Sequence, residues 1–319
     1  MTLRPATSKT KFEPVPRWAK MPMGLTFHGD ATSVAVDSKD NVYVFNRGTD
    51  PVAVFDPDGN FVRSFGQGEF TRPHGIEIDG EDNLYLADDN GHFVQKRTNA
   101  GKIVWTLGTP NKPAPWQQGG MFNRPTDVAI HPKTGEVFVS DGYGNSRVHK
   151  FDPNGKHIKS WGEPGTGPGQ FSLPHNITFI DDRHVVVCDR ENFRLQVFDT
   201  DGKFVDQWHI HHPMSVTNGR NGDNALYVGE MGPPPLQNGV PNLGNRVSVL
   251  SPSGELLTHF GAPLPGQAAD QFCAPHGIAT DSKGNVYVAE VSWTFWWSRQ
   301  QEKPLGEVVS LRKWKRTSG

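Results

Sequence analysis

Short segments of alternating hydrophobic and polar residues recur along the whole chain. The clearest set reads DNVYVFN, DNLYLAD, GEVFVSD, RHVVVCD, NALYVGE and GNVYVAE. Each member carries β-branched or aromatic residues at alternate positions, and five of the six end in an acid. Alternation over so few residues predicts half-buried β-strands.

Two further motifs frame these strands. The first precedes them and reads GEFTRPHGIEID, GMFNRPTDVAIH, GQFSLPHNITFI and DQFCAPHGIATD; the second follows them, as in VAVFDPDGNFVRSFG and VHKFDPNGKHIKSWG. The second motif predicts a hairpin, because its D-G or N-G dipeptide allows the positive φ of a tight turn. Each unit is then a four-stranded antiparallel meander of about 40 to 50 residues. Six units in tandem predict an all-β, six-bladed β-propeller.

The repeat also predicts the domain organisation. Residues 30–319 are expected to form a single propeller domain, and residues 1–29 an N-terminal extension. The sixth unit ends early, since after GNVYVAE it offers only GEVVSLRKW. An open propeller would leave exposed strand edges. We therefore expect part of the extension, between Arg17 and Phe27, to supply the missing outer strand.

Three histidines occupy one position of the repeat, the start of the predicted innermost strand. They are His74, His175 and His276, and both intervals are 101 residues. Each interval skips one unit, and the three units without the histidine have Thr32, Thr126 and Met214 at the equivalent position. In a six-bladed ring, alternate blades are 120° apart, so three such side chains would converge on the axis. Three neutral imidazoles with an open position form a catalytic metal arrangement.

Other side chains are predicted at the same mouth of the propeller. The recurring acids, among them Asp88 and Asp141, are interpreted as structural acceptors of backbone N–H groups. Arg47, Tyr143 and Arg190 do not recur, and we predict them as catalytic residues. An arginine close to a divalent cation favours a bridging anion. The expected partner is therefore a small-molecule substrate that bears a carboxylate.

At these residues the sequence resembles the NHL-repeat propellers and, among them, the peptidyl-α-hydroxyglycine α-amidating lyases. The resemblance is densest in RPTDVAIHPKTGEVFVSDGYGNSRV, GQFSLPHNI, CDRENFRLQVF and APHGI. It implies one divalent transition metal, zinc, bound by the Pro-His histidines His74, His175 and His276. It also implies Tyr143 of the DGY motif as the base, with Arg47 and Arg190 of the RG and DRE motifs. The implied reaction splits the C–N bond of a carbinolamide into a primary amide and glyoxylate.

Three positions depart from the pattern of that family. Gly144 replaces a disulfide cysteine, and Gly277 replaces an acid that helps to hold a structural calcium, so the calcium is not carried over. Ala274 replaces a methionine of the site, so the peptide pocket is not carried over either.

Two other functions are compatible with the sequence. The same site could support metal-hydroxide hydrolysis, as in propeller lactonases, although those use carboxylate and amide ligands, and three imidazoles favour a softer ion. The chain could also be a non-catalytic NHL propeller that binds protein partners, but such a protein would not need convergent ligands.

Weaker signals lie elsewhere in the chain. His209 and His211 have a spacing that could bind a second metal, although solvated histidines are the simpler interpretation. Cys273 could approach the metal of the three histidines as a thiolate, although a packed thiol is the simpler interpretation. The aromatic loop 292–298 could roof a pocket or form an oligomer contact.

Composition excludes several function classes. The 32 Lys and Arg against 34 Asp and Glu give a net charge of -2, which lacks the positive charge of a nucleic-acid-binding protein. Mean hydropathy is -0.56, and no apolar run approaches the ~20 residues of a membrane span. The N-terminus lacks a secretory apolar segment, and two cysteines cannot form a disulfide framework. We expect a cytoplasmic protein that binds neither nucleic acid nor membranes.

Overall fold

The computed structural model describes residues 6–317 except 234, 238, 303 and 305. Within them the chain forms 24 strands, which assemble into six four-stranded antiparallel sheets. This confirms the predicted six-bladed β-propeller. The remaining elements are short: helix α1 (Ser292–Phe295) and the 3₁₀ turns Arg190–Asn192, Pro235–Gln237 and Trp297–Arg299. In the described part of the chain, no helix has the length and apolar composition that a membrane crossing requires.

The chain divides into two compact units, and the boundaries fall near Gln67 and Val216. The unit Gly68–Val216 contains three complete sheets, each with its strands in chain order. The first is β6 (Pro73–Ile78), β7 (Leu84–Asp88), β8 (Phe93–Arg97) and β9 (Ile103–Gly108). The second is β10 (Asp127–Ile130), β11 (Val137–Asp141), β12 (Arg147–Phe151) and β13 (His157–Trp161). The third is β14 (Pro174–Phe179), β15 (His184–Asp189), β16 (Arg194–Asp199) and β17 (Phe204–His209).

The other unit consists of the residues up to Gln67 and those from Thr217 onward. One of its sheets is β2 (Ala31–Val36), β3 (Val42–Asn46), β4 (Val52–Phe55) and β5 (Phe61–Phe65). Another is β18 (Pro213–Asn218), β19 (Leu226–Glu230), β20 (Arg246–Leu250) and β21 (Leu256–Phe260), and the unit boundary falls within β18. The last has the order β1 (Lys11–Val15), β24 (Leu311–Thr317), β23 (Val286–Glu290) and β22 (Pro275–Thr280).

The last sheet obtains its outer strand from the N-terminal part of the chain, but not from the expected residues. Strand β1 pairs antiparallel with β24, from Lys11 opposite Thr317 to Val15 opposite Lys313. The prediction that the strand lies between Arg17 and Phe27 is wrong. Arg17 has φ 51° and Gly24 has φ 89°, which are values that an extended strand does not adopt. That stretch contributes Trp18 to the core instead.

In each sheet the outermost strand is much less buried than the strands inside it. Strand β15 is buried at five of its six positions, whereas β17 is exposed or half-buried throughout. Strand β15 therefore packs on both faces and carries an almost continuous run of apolar residues. Three phenylalanines of the G-x-F motif anchor these packed regions, because Phe122, Phe171 and Phe272 are wholly buried.

A β-bulge near the start of the innermost strand positions the predicted site residues. In β6, Pro73 pairs with Asp88 and Gly75 pairs with Ala87, so the register shifts at His74, which is the extra residue of the bulge. In β22 the pairing skips His276 in the same way. The ladder of β14 shifts between Pro174 and Ile177, which spans His175. A bulge bends the strand and changes the direction of the side chain of the extra residue.

Candidate active site

His74 and His175 lie together in the unit Gly68–Val216, and each is held by a backbone carbonyl. Nδ1 of His74 is 2.6 Å from the carbonyl oxygen of Thr126, and Nδ1 of His175 is 2.6 Å from that of Met214. A carbonyl only accepts hydrogen bonds, so Nδ1 carries the proton in both rings. In a neutral imidazole, Nε2 then presents a lone pair, which is the form that a metal ligand requires.

The residues that supply these carbonyls are the ones that replace histidine in the intervening blades. Thr126 and Met214 occupy the repeat position of the histidines in the sheets that follow. The alternation seen in the sequence is therefore an alternation of roles, in which one blade provides an imidazole and the next a carbonyl. Gly75 makes this approach possible, since a Cβ there would lie 2.5 Å from the Thr126 oxygen.

Tyr143 places its hydroxyl between the two imidazoles. The phenol oxygen is 3.1 Å from Nε2 of His74 and 3.3 Å from Nε2 of His175. The ring centroids of the two histidines are 4.8 Å apart. Tyr143 follows β11 in a turn that packs tightly on the next blade, because a Cβ on Gly142 would lie 2.0 Å from the carbonyl oxygen of Pro174. The structure thus brings together three of the predicted site residues.

His276 lies in the other unit and has an equivalent environment. It is the bulge residue of β22, it is buried, and its Nδ1 donates to the carbonyl oxygen of Thr32 at 2.6 Å. Gly277 allows the close approach, since a Cβ there would lie 2.5 Å from Cα of Ser33. This contact explains why Gly277 cannot carry the acidic side chain expected in the resembling family.

Arg190 lies beside Tyr143 in the unit Gly68–Val216. Its guanidinium carbon is 5.7 Å from the centroid of the Tyr143 ring. Its Nε donates to Glu191 at 2.7 Å, and Glu191 also contacts His212. The hydrogen bond with His212 and the charge of Arg190 lower the pKa of Glu191 to about 2, so this carboxylate is charged at neutral pH.

Sequence reasoning missed two arginines that surround the same tyrosine. The guanidinium carbons of Arg124 and Arg72 lie 4.4 and 6.0 Å from the Tyr143 ring centroid. Both form an ion pair with the buried Asp89, at 3.0 and 2.8 Å. A signal was present, because these arginines precede the proline in RPHG and RPTD, where the other motifs have Leu173 and Ala274.

Arg47 lies in the other unit, next to the aromatic loop. Its Nη1 donates to Asp30 at 3.1 Å and to the hydroxyl of Thr294 at 3.2 Å. Asp30 also accepts hydrogen bonds from the backbone N–H groups of Trp293 and Thr294. The loop 292–298 therefore includes helix α1 and is tied to this arginine.

The recurring acids at the ends of the second strands are structural, as predicted. Asp88 accepts hydrogen bonds from the backbone N–H groups of Thr71, Arg72 and Gly91. Glu290 accepts those of Cys273 and Ala274.

The weaker candidates have ordinary structural roles. Within the described residues, His209 and His211 belong to no cluster of histidine, cysteine and acidic side chains arranged to hold a metal, so they form no second site. The thiol of Cys273 donates to the carbonyl oxygen of Gly266, and burial raises its pKa to about 12. Cys273 is thus a packed thiol.

A pocket of about 330 Å³ opens beside Tyr143. Phe171 and Leu173 form apolar parts of its wall, and Gln117, Ser172 and Glu191 add polar groups. Small-molecule sites commonly combine apolar walls with a few polar side chains in this way.

Comparison with known proteins defines the class of this chain. The NHL repeat model matches residues 122–151 and 171–198. The mouse NHL repeat-containing protein 3 is 34% identical over 83% of this chain and 78% of that protein. The chain therefore belongs to the NHL-repeat family.

Within that family, several relatives are named for amidation. Mouse peptidyl-glycine alpha-amidating monooxygenase is 34% identical over 84% of this chain, and Drosophila melanogaster peptidyl-alpha-hydroxyglycine alpha-amidating lyase 1 is 33% identical over 73%. The match covers 30% of the mouse protein and 45% of the fly protein. The chain thus spans about a third of the length of the amidating monooxygenases. The resemblance predicted from the motifs is confirmed.

Solved structures agree on the fold. A streptogramin B lyase has a TM-score of 0.61 at 13% identity, covering 97% of this chain and 98% of that chain. A gluconolactonase from Xanthomonas campestris has a TM-score of 0.60 at 14% identity, covering 92% and 89%. At these identities the likeness concerns the propeller alone.

Proposed function

We propose that this protein is a metal-dependent carbon–nitrogen lyase that cleaves a carbinolamide or a related small hydroxylated substrate. The observation that carries the proposal is the Tyr143 hydroxyl, held 3.1 and 3.3 Å from Nε2 of two imidazoles whose Nδ1 protons are fixed by carbonyls. The named amidating lyase among the relatives supports the same reaction class.

His74, His175 and His276 would hold the metal. All three are buried, all three stand at the same repeat position, and each donates Nδ1–H to a backbone carbonyl at 2.6 Å. Three neutral nitrogen donors suit zinc or another transition metal better than calcium, which prefers oxygen. When bound, the metal would act as a Lewis acid toward the carbinol oxygen.

In its phenolate form, Tyr143 would be the proton acceptor of the proposed reaction. The substrate hydroxyl would lie at the imidazole pair, within hydrogen-bonding distance of the phenol oxygen. As its proton leaves, the C=O bond of glyoxylate forms and the C–N bond breaks. The electron pair of that bond goes to the amide nitrogen, which takes up a proton. The products are a primary amide and glyoxylate, with no oxidant, reductant or water consumed.

Arg190 would stabilise negative charge that develops near Tyr143. Its ion pair with Glu191 at 2.7 Å fixes the guanidinium, so that little reorganisation is needed during the reaction. Arg47 is assigned a similar role by the resemblance.

Release of glyoxylate from α-hydroxyhippurate tests the proposal. We expect the zinc-loaded protein to release glyoxylate and benzamide in equal amounts. A chelator should abolish the release, and added zinc should restore it. A zinc-loaded protein that hydrolyses lactones and releases no glyoxylate would instead identify the hydrolase alternative.

A further inference from the structure

Arg72 and Arg124 form an unusual cationic group next to the proposed reaction site. Both guanidinium groups share a single oxygen of Asp89, Oδ2, at 2.8 and 3.0 Å. Asp89 is wholly buried, so its charge faces the two arginines and not the solvent. Two positive charges against one negative charge leave the group with a net charge of +1.

Among the described residues, Asp89 is the only carboxylate that forms an ion pair with Arg72 or Arg124. The neighbouring carboxyl group, that of Asp88, accepts hydrogen bonds from three backbone N–H groups. Arg190 is balanced by its own partner, Glu191. Around Tyr143, Arg72 and Arg124 are therefore the two cations that share a single carboxylate partner.

Both arginines retain hydrogen-bonding capacity for a ligand. Asp89 uses one terminal nitrogen of each, Nη1 of Arg72 and Nη2 of Arg124. The buried Nε of Arg124 has no hydrogen-bond partner within the described ranges. A buried donor without a partner is costly, which favours a ligand that accepts from it. The side chains are 28% and 29% exposed, so a small solute can reach them.

We infer that Arg72 and Arg124, bridged by Asp89, form an anion subsite that binds the carboxylate of the substrate. Guanidinium groups match the planar geometry of a carboxylate through paired N–H donors. A net charge of +1 is balanced by one monoanionic group. The assignment of this carboxylate to the substrate rests on the proposed function, whereas the anion subsite itself does not.

Binding of glycolate and glycolamide tests the subsite without turnover. The two compounds have nearly the same size and differ in the carboxylate. Calorimetry on the zinc-loaded full chain should show wild type preferring glycolate by about tenfold or more. Arg124→Gln and Arg72→Gln should each weaken glycolate binding by about 10- to 100-fold and leave glycolamide binding unchanged. Arg124→Lys, which keeps the charge without the planar fork, should give an intermediate value.

Arg183→Gln is the matched control. It removes the same charge from an exposed position between β14 and β15, and its preference for glycolate should equal that of wild type. Zinc content must match across all variants, since the metal could also bind a carboxylate.

Two results would overturn the inference: no preference for glycolate in wild type, or a preference that persists in both glutamine variants. Either result alongside glyoxylate release from α-hydroxyhippurate would leave the lyase proposal standing. Loss of the preference in the variants, without any lyase activity in wild type, would retain the subsite and reject the lyase.

Discussion

Replacing Tyr143 by phenylalanine removes one oxygen atom from the centre of the proposed site. The aromatic ring remains, and so does its face-on contact with the Arg124 guanidinium at 4.4 Å. The histidine rings keep their orientation, because the carbonyls of Thr126 and Met214 hold them independently of the tyrosine. The substitution therefore removes the proposed proton acceptor and keeps the positions of the surrounding side chains.

The expected magnitudes differ for activity and stability. A positioned general acid or base contributes about 10²- to 10⁴-fold to a rate, so kcat should fall by that factor, or about 3 to 5 kcal/mol in activation free energy. The hydroxyl has one proton and can donate to only one imidazole at a time. Its loss should therefore cost about 1 kcal/mol of folding free energy, the usual value of one neutral hydrogen bond.

The assay combines glyoxylate release, zinc content per chain and thermal unfolding. We expect a large loss of kcat with one zinc retained and a shift of the melting temperature of only about 2 °C. Tyr85→Phe is a suitable control, since it removes a hydroxyl that donates to Asp79 in the same unit. Full activity of Tyr143→Phe with zinc bound would refute the role of tyrosine as proton acceptor. Loss of zinc would show that Tyr143 holds the site together instead.

Two further predictions concern the groups around Tyr143. His175→Ala should reduce bound zinc from about one equivalent to almost none while circular dichroism still shows the folded protein; elemental analysis would contradict the proposed metal site if both proteins contained equal zinc. Glu191→Gln should be less stable than wild type above pH 4.5, because the pKa of Glu191 is lowered to about 2 in the folded protein. The difference in unfolding free energy between the variant and wild type should reach its full value above pH 4.5 and vanish as the pH falls toward 2. Because the Glu191 side chain is 39% exposed, we expect this difference in unfolding free energy to be no more than about 1 kcal/mol. Acid unfolding curves that differ by the same amount at every pH would contradict the ion pair as the cause.

The sequence by itself determined the fold class and the positions of the key side chains. Local physics explains this success: alternating residues specify strands, the glycine turns specify hairpins, and a repeat can be recognised from its period. The 101-residue spacing of the histidines follows from the same period. So does the structural role of the recurring acids, exemplified by Asp88.

Tertiary structure decided what those side chains can do. The bulge at His74 and the carbonyl of Thr126 fix which imidazole nitrogen carries the proton, and both depend on backbone contacts between blades. Strand β1 was misplaced because the pairing of Lys11 with Thr317 joins opposite ends of the chain, which no local pattern encodes. The cationic pair Arg72 and Arg124 was missed because their shared partner Asp89 becomes a neighbour only after folding. Long-range contacts of this kind determine charge and hydrogen-bonding geometry, and those properties set the chemistry of the site.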